Sequence, residues 1–436
     1  MPDWFIMEKR QYLKLLFIFF MIGCGGNDDP VTDDSPPFDN GPEDSTPPPI
    51  NNPPNSFSLL NVPDGATDVG FKPTFSWNSA IDPENGQITY DLLLGTSSNP
   101  NTIVASEIQE TTFTIQDNLK FDEFYFWKVI AKDDAGNFTE SKIFNFTTKD
   151  LFSLASPNAG FSQRLGHTSV SYDNRIWVIS GASSNGMSTD IWSSDEGVNW
   201  QRINGNIDFS GRSGHTTSVF RDSLWVIGGY SGGNKNDVWS SSDGIAWFQR
   251  STMAQFSPRS LHTSIVFQDK LWVIGGSDEP LAVMGDIWNS EDGVNWVEVT
   301  NQAPKRARHT ANLFNDKIWL IGGLGENGRT NDVWSSSDGI QWVQVTSSAP
   351  FTPRYYHETI VFDNKLWVIG GIGEGNTLLN DIWVSDDGSN WEEFDSNPPF
   401  SPRDLFTTVL HNGTIYVIGG RDSNSRLNEV WVMNVD

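Results

Sequence analysis

"NDVWSSSDGIQW", residues 331–342, decides the reading of this chain, because a near copy, "NDVWSSSDGIAW", stands at residues 236–247. A catalytic loop has no use for a duplicate; a structural unit does. The frame around the copies recurs as well. "RIWVISG" (175–181), "SLWVIGG" (223–229), "KLWVIGG" (270–276), "KIWLIGG" (317–323), "KLWVIGG" (365–371) and "TIYVIGG" (414–420) follow one another every 47 to 49 residues. Each precedes an acidic residue, a β-branched residue and a tryptophan: Trp192, Trp239, Trp288, Trp334, Trp383 and Trp431. In the first five copies another tryptophan comes eight residues later. This period, with four strand-like runs per copy, predicts propeller blades. The quoted string then reads as a third strand, a turn and the start of a fourth strand. Asp-Gly suits that turn, since glycine accepts a positive φ without steric cost.

The doubled glycines and spaced aromatics resemble kelch repeats, with tryptophan where those repeats usually carry tyrosine after the glycine pair. The resemblance implies an all-β, six-bladed propeller over residues 151–436. The sixth copy ends soon after Trp431, without the last turn and outer strand. "LFSLAS" (151–156) is expected to supply that strand, with Phe152 near the place of the missing tryptophan, and so to cover an edge that invites aggregation. "SSDEGVNW" (193–200) also fits the Asp-box of sialidases, but such boxes are structural turns and imply no sialidase chemistry.

Upstream the chain changes character. Lys9, Arg10 and Lys14 precede "LLFIFFMIG" (15–23), an apolar run too short to span a bilayer, which reads as a signal-peptide core. "MIGC" resembles the lipobox of bacterial lipoproteins, with Met21 where leucine is usual. This implies removal of residues 1–23, lipidation of Cys24 and anchoring in the outer membrane of a bacterial envelope. "CGGNDD" (24–29) is similar to the acidic leader of surface-exported lipoproteins. Residues 24–56, rich in proline and aspartate, are expected to be a disordered tether. Residues 57–149 alternate apolar and polar runs between turn signals, a sandwich rhythm. They resemble a fibronectin type III domain, with Trp77 as its early core tryptophan and Leu119 and Tyr125 before the penultimate strand.

The totals exclude some functions. A net charge of -27 argues against nucleic-acid binding, which needs clustered cations to neutralise phosphates. The single cysteine, Cys24, rules out an intrachain disulfide and a cysteine-rich metal site. No cofactor or metal is expected.

Every blade opens with an arginine: Arg164, Arg212, Arg259, Arg306, Arg354 and Arg403. Five have a histidine three residues on, and the sixth has Phe406. Six guanidiniums at a channel mouth would clamp an anion. Their uniformity favours the structural reading, in which each pairs with the acidic residue of its own "DVW" or "DIW" strand. Five histidines spread around a ring stand too far apart for one metal ion. Recognition is expected instead where the copies diverge, in the segments after the glycine pairs, because variable loops on a rigid scaffold carry binding. Against the repeat background, Arg308, Tyr355, Tyr356, Glu358, Asp404, Arg421 and Arg426 stand out as candidate ligand-binding residues.

These features point to a cell-surface protein that binds a glycan or protein ligand through the loop face. Galactose oxidase shares the kelch architecture, but its cofactor needs a cysteine joined to a tyrosine, and Cys24 is committed to the anchor. No catalytic residue is assigned. The enzyme alternative is an envelope carbohydrate-active enzyme such as a sialic acid mutarotase, which would use an arginine for the carboxylate and a Glu or His for proton transfer. A purely structural part of a larger envelope complex is a third reading.

Overall fold

The computed structural model describes residues 51–434 except 204–207, 279–281 and 301–302. The signal segment, Cys24 and nearly all of the expected tether lie outside the described residues. The ordered fold begins earlier than residue 57. Asn52 bonds to Glu84 through backbone and side chain, and the Asn55 N–H donates to Ile81 O at 2.8 Å. Among the described residues no helix is long and apolar enough to cross a membrane.

Residues 57–149 form two sheets around one core. Strands Leu59–Asn61, Thr74–Trp77 and Thr112–Thr114 make the smaller sheet. Thr89–Gly95, Phe124–Lys132 and Phe144–Thr148 run through the larger one. Alternation drives the pairing: Phe75, Trp77, Leu92, Trp127, Val129 and Phe146 all turn inward and are buried. The Tyr125 hydroxyl accepts the Lys120 N–H at 3.2 Å, tying the strand to the loop before it.

Six four-stranded sheets follow, each built antiparallel from inner to outer strand. Their innermost strands are Thr168–Tyr172, Thr216–Val219, Thr263–Phe267, Thr310–Phe314, Glu358–Phe362 and Thr407–His411. Each neighbours the next, and the last neighbours the first, around a central channel. In the sixth sheet the outer strand is Phe152–Ser156, paired antiparallel with Arg426–Met433. Phe152 meets Phe400 edge-on at 5.2 Å. The outer tryptophans Trp200, Trp247, Trp296 and Trp391 meet Phe161, Phe209, Phe256 and Phe351 in the same way at 5.1–5.3 Å.

Each residue type in the opening string has a physical task. Asn331 donates through Nδ2 to Ala349 O and Phe351 O, fastening its blade to the start of the next. Asp332 receives Arg306 and the Trp334 indole N–H. Ser336 Oγ accepts the Gly339 N–H, and Asp338 accepts the N–H groups of Ile340 and Gln341, closing the turn. Gly339 has φ +75°, and a Cβ there would lie 2.4 Å from the Trp272 ring of the preceding blade. The turn thus needs glycine twice over, for its backbone and as a platform for a neighbour's tryptophan.

One joint lacks that platform. The sixth blade has no Asp-Gly turn for Trp367 to rest on. Phe394 covers Trp367 at 4.7 Å instead, and Phe121 of the sandwich packs on Phe394 at 5.7 Å.

A chain beginning at residue 160 should melt lower and aggregate more readily than one beginning at residue 149, because the third strand of blade six would be left as an open edge. Phe152→Ala alone should cost roughly 3–5 kcal/mol through the cavity it leaves. Thermal melts and size-exclusion chromatography read both effects.

Candidate functional site

The blade-opening arginines are buried inside their blades. Arg164, Arg212, Arg259, Arg354 and Arg403 have no exposure, and Arg306 has 2%. In the first five blades the guanidinium forks onto a carboxylate, Asp190, Asp237, Asp286, Asp332 or Asp381, at 2.6–3.2 Å. Arg403 reaches Glu429. The same side chain donates to the carbonyl of the first residue of its glycine pair, as Arg212 does to Gly228 O at 2.7 Å. Burial alone would raise the carboxyls, but the guanidinium's bonds and charge outweigh it and hold Asp190, Asp237, Asp286 and Asp332 below the usual range.

The glycine pair follows from this crowding. A Cβ on Gly228 would lie 2.9 Å from Arg259 O of the next blade, and one on Gly229 would lie 2.6 Å from the Cβ of His215.

The five histidines join blades to one another. Nε2 of His215, His262, His309, His357 and His167 shares a hydrogen bond with Thr168, Thr216, Thr263, Thr310 and Thr407 of the preceding blade, at 3.0–3.3 Å. Burial, with the charge of the nearby arginine, drives all five pKa values down, to about 3 for His167, His262 and His357. They are neutral spacers. No cluster of three metal-ligating side chains occurs among the described residues.

A second ring forms the channel mouth. Two residues after each arginine stand Gly166, Gly214, Leu261, Arg308, Tyr356 and Leu405, all left-handed with φ between 53° and 60°. Each N–H donates to the carbonyl of the same position one blade earlier, at 2.8–3.4 Å, and Gly166 closes the cycle on Leu405 O. The backbone fixes this conformation, and glycine satisfies it in blades one and two. Leucine, arginine and tyrosine adopt it at a cost on the order of 1 kcal/mol each. The asymmetry of the mouth is therefore made of side chains the ring itself does not require.

The diverging segments after the glycine pairs lie on this face: Ala307 bridges to Leu324, Tyr355 to Ile372 and Asp404 to Arg421. The guanidinium carbon of Arg308 lies 5.0 Å from the centroid of Tyr355 and 4.9 Å from that of Tyr356. The two tyrosines meet edge-on at 5.0 Å. Arg329 stands over Tyr355 at 4.8 Å and donates to Asn376 of the next blade. Sequence reasoning missed Arg329, although it lies in the diverging segment "LGENGRT"; only the fold brings it to Tyr355. The Nε atoms of Arg308 and Arg329 are buried without a partner among the described residues.

The other candidates fall into place around them. Asp404 is fully buried and binds Arg421 through both oxygens, at 2.7 and 3.1 Å, so it is a holder of that arginine and not a free ligand. The bond to Asp404 pushes the Arg421 pKa up, and the guanidinium itself is half-exposed. Arg426 sits opposite Arg421 across their hairpin. Below the mouth, Arg308, Tyr356 and Glu358 line a channel cavity of about 240 Å³ shared by all six blades. Glu358 keeps some contact with the lumen, yet burial pushes its carboxyl up to about 8, with partial relief from Thr408.

Six kelch-like sheets around a hydroxyl-lined channel define a propeller of the kelch class. The KLHDC2/KLHL20/DRC7 kelch-repeats domain family matches at residues 131–276, 214–397 and 336–436, and the chain belongs to that family. Among solved structures, the chain is similar to YjhT, with a TM-score of 0.53 at 16% identity over 64% of this chain and 100% of that one. At that identity the likeness speaks for the fold alone. No curated protein matches the sequence.

The buried histidines predict an acid-sensitive fold. Their folded pKa values lie below the ordinary 6.5, so their contribution is intact above pH 6.5 and is lost as pH falls from 6.5 toward about 3. Glu358, raised to about 8, acts in the opposite sense as pH falls, but it is one group against five. The melting temperature should drop clearly between pH 7 and pH 5; a level profile would show the histidines ionising freely.

Proposed function

We propose that this protein is a cell-surface binding lipoprotein, anchored through Cys24, that recognises a glycan or protein ligand through the loop face of blades four to six. One observation carries the reading. In a chain of net charge -27, Arg308 and Arg329 converge on Tyr355 with their Nε atoms unpartnered. Every blade-opening arginine has its acidic partner; these two have none among the described residues. Guanidiniums over an aromatic pair suit a carboxylate, sulfate or phosphate beside a sugar or ring face.

Tyr355→Ala with Tyr356→Ala, or Arg308→Ala, should weaken binding of a glycan-array hit by roughly tenfold, since an aromatic or charged contact of this kind is worth on the order of 1 kcal/mol or more. Asp338→Ala, in a turn at the far end of its strand, should leave binding unchanged. If the turn variant loses binding and the loop variants keep it, the site is on the other face.

A second reading, an envelope carbohydrate-active enzyme such as a sialic acid mutarotase, is favoured by Glu358 lining the same cavity as Arg308. Following anomer interconversion by NMR with the same proteins separates the two readings: a binder leaves the rate at its uncatalysed value.

The anchor is tested apart from the ligand. Cys24→Ser should move the protein from the membrane fraction to the soluble fraction, and unchanged fractionation would sink the lipid anchor.

A further inference from the structure

The first residue of the innermost strand is threonine in five blades, and in each it meets the histidine of the following blade. The remaining joint breaks both rules at once. Glu358 takes the threonine position of blade five, and the next blade presents Phe406 where the others have histidine. Two departures lying 48 residues apart in sequence thus meet at one place in the channel wall. Phenylalanine offers no hydrogen bond, so the longer carboxyl side chain is left to the lumen. Its partner is Thr408, whose Oγ1 donates to Oε2 at 3.5 Å, the limit of a hydrogen bond. The cavity it lines also carries threonine and serine side chains from every blade, Thr359, Thr407 and Thr408 among them.

A structural reason for this substitution is hard to find. Threonine would fit the position as it does elsewhere, and a buried carboxyl without a cation is costly in its ionised form. The titratable and charged groups that line the cavity with it are Arg308 and Tyr356 at the mouth and the histidines His167, His215, His262, His309 and His357. The histidines are neutral, and Tyr356 is held protonated by burial. Arg308 is the charged group of this set, and it is stacked on the tyrosines.

We propose that Glu358 is the specificity residue of the site: from the altered joint in the channel wall its carboxyl group hydrogen-bonds an oxygen of an acidic sugar whose carboxylate is held at the mouth by Arg308 and Arg329. This rests on the reading of the loop face as a binding site. A neutral acid selects an acceptor oxygen entering the channel. Once ionised, it repels the same ligand, because two negative charges would share a narrow, poorly solvated space. Burial pushes the Glu358 carboxyl up to about 8, so the acid form prevails at neutral pH.

The test uses D-glucuronate and N-acetylneuraminate as probes, with glucose as the neutral control, in titration calorimetry from pH 6 to pH 9. Wild type should bind an acidic probe about tenfold more weakly at pH 9 than at pH 6, the slope expected for one proton held with a pKa near 8. Glu358→Gln keeps a neutral donor and should bind with no pH dependence. Glu358→Thr restores the residue of the other blades and should bind weakly at every pH while melting like wild type. Infrared difference spectra provide a measure that needs no ligand: a protonated-carboxyl band at pH 7 that disappears in Glu358→Gln. Absence of that band, or identical binding by all three proteins across the pH range, overturns the role of Glu358 and leaves the loop-face reading standing. No binding of either acidic probe by wild type at pH 6 overturns the acidic-sugar assignment, while the loop-face reading stands or falls on the Tyr355, Tyr356 and Arg308 variants.

Discussion

The propeller depends on a guanidinium buried in every blade. Taking such a charge out of water costs several kcal/mol, and the cost is tolerable only when a carboxylate and further acceptors meet it in good geometry. Here the fork from the blade-opening arginine closes on the acid of the third strand and on a carbonyl at the end of the second. One side chain thereby sets the spacing of the loop, the second strand and the third strand. The acid also receives the indole N–H two residues on, so the tryptophan is oriented by the same contact. In five blades a phenylalanine lies under the arginine, at 5.1–5.4 Å from its ring centroid. Blade four has Ala303 there, and its outer tryptophan, Trp342, has an indole nitrogen without a partner among the described residues.

Between blades the couplings are of another kind. They are short, neutral and numerous: threonine to histidine, asparagine side chain to backbone, tryptophan ring on turn glycine. None is strong alone, but each repeats around the ring, and repetition lets modest contacts hold a closed arrangement. The left-handed residues at the mouth close a further cycle of backbone bonds. Once the backbone is satisfied in this way, the side chains at that position are free to differ. Recognition has room to arise there without disturbing the blades, and in blades four to six the mouth carries Arg308, Tyr356 and Leu405 where two earlier blades carry only hydrogen.

Much of this was legible beforehand because a repeat advertises its own constraints. The spacing of "WVIGG" and "DVW" implied strands, the paired arginine and acid implied an in-blade ion pair, and the missing outer strand of the sixth copy pointed to residues 151–156. These are local regularities: each follows from strand alternation, from glycine at a positive φ, or from the need to neutralise a buried charge, and all three leave a fixed spacing in the chain. The candidate list drawn from departures within the repeat also collected Arg308, Tyr355, Tyr356 and Glu358 before any geometry was known.

The tertiary structure decided what those departures do to one another. Asp404 and Arg421 looked like two separate binding groups, but a β-bridge makes them a closed pair. Arg329 looked like an ordinary loop residue until the fold laid it over Tyr355. Glu358 and Phe406, each a minor irregularity in its own copy, become one altered joint because adjacent blades bring residues 48 positions apart into contact. Contacts between blades depend on the rotation from one sheet to the next, and no spacing within a single repeat records it.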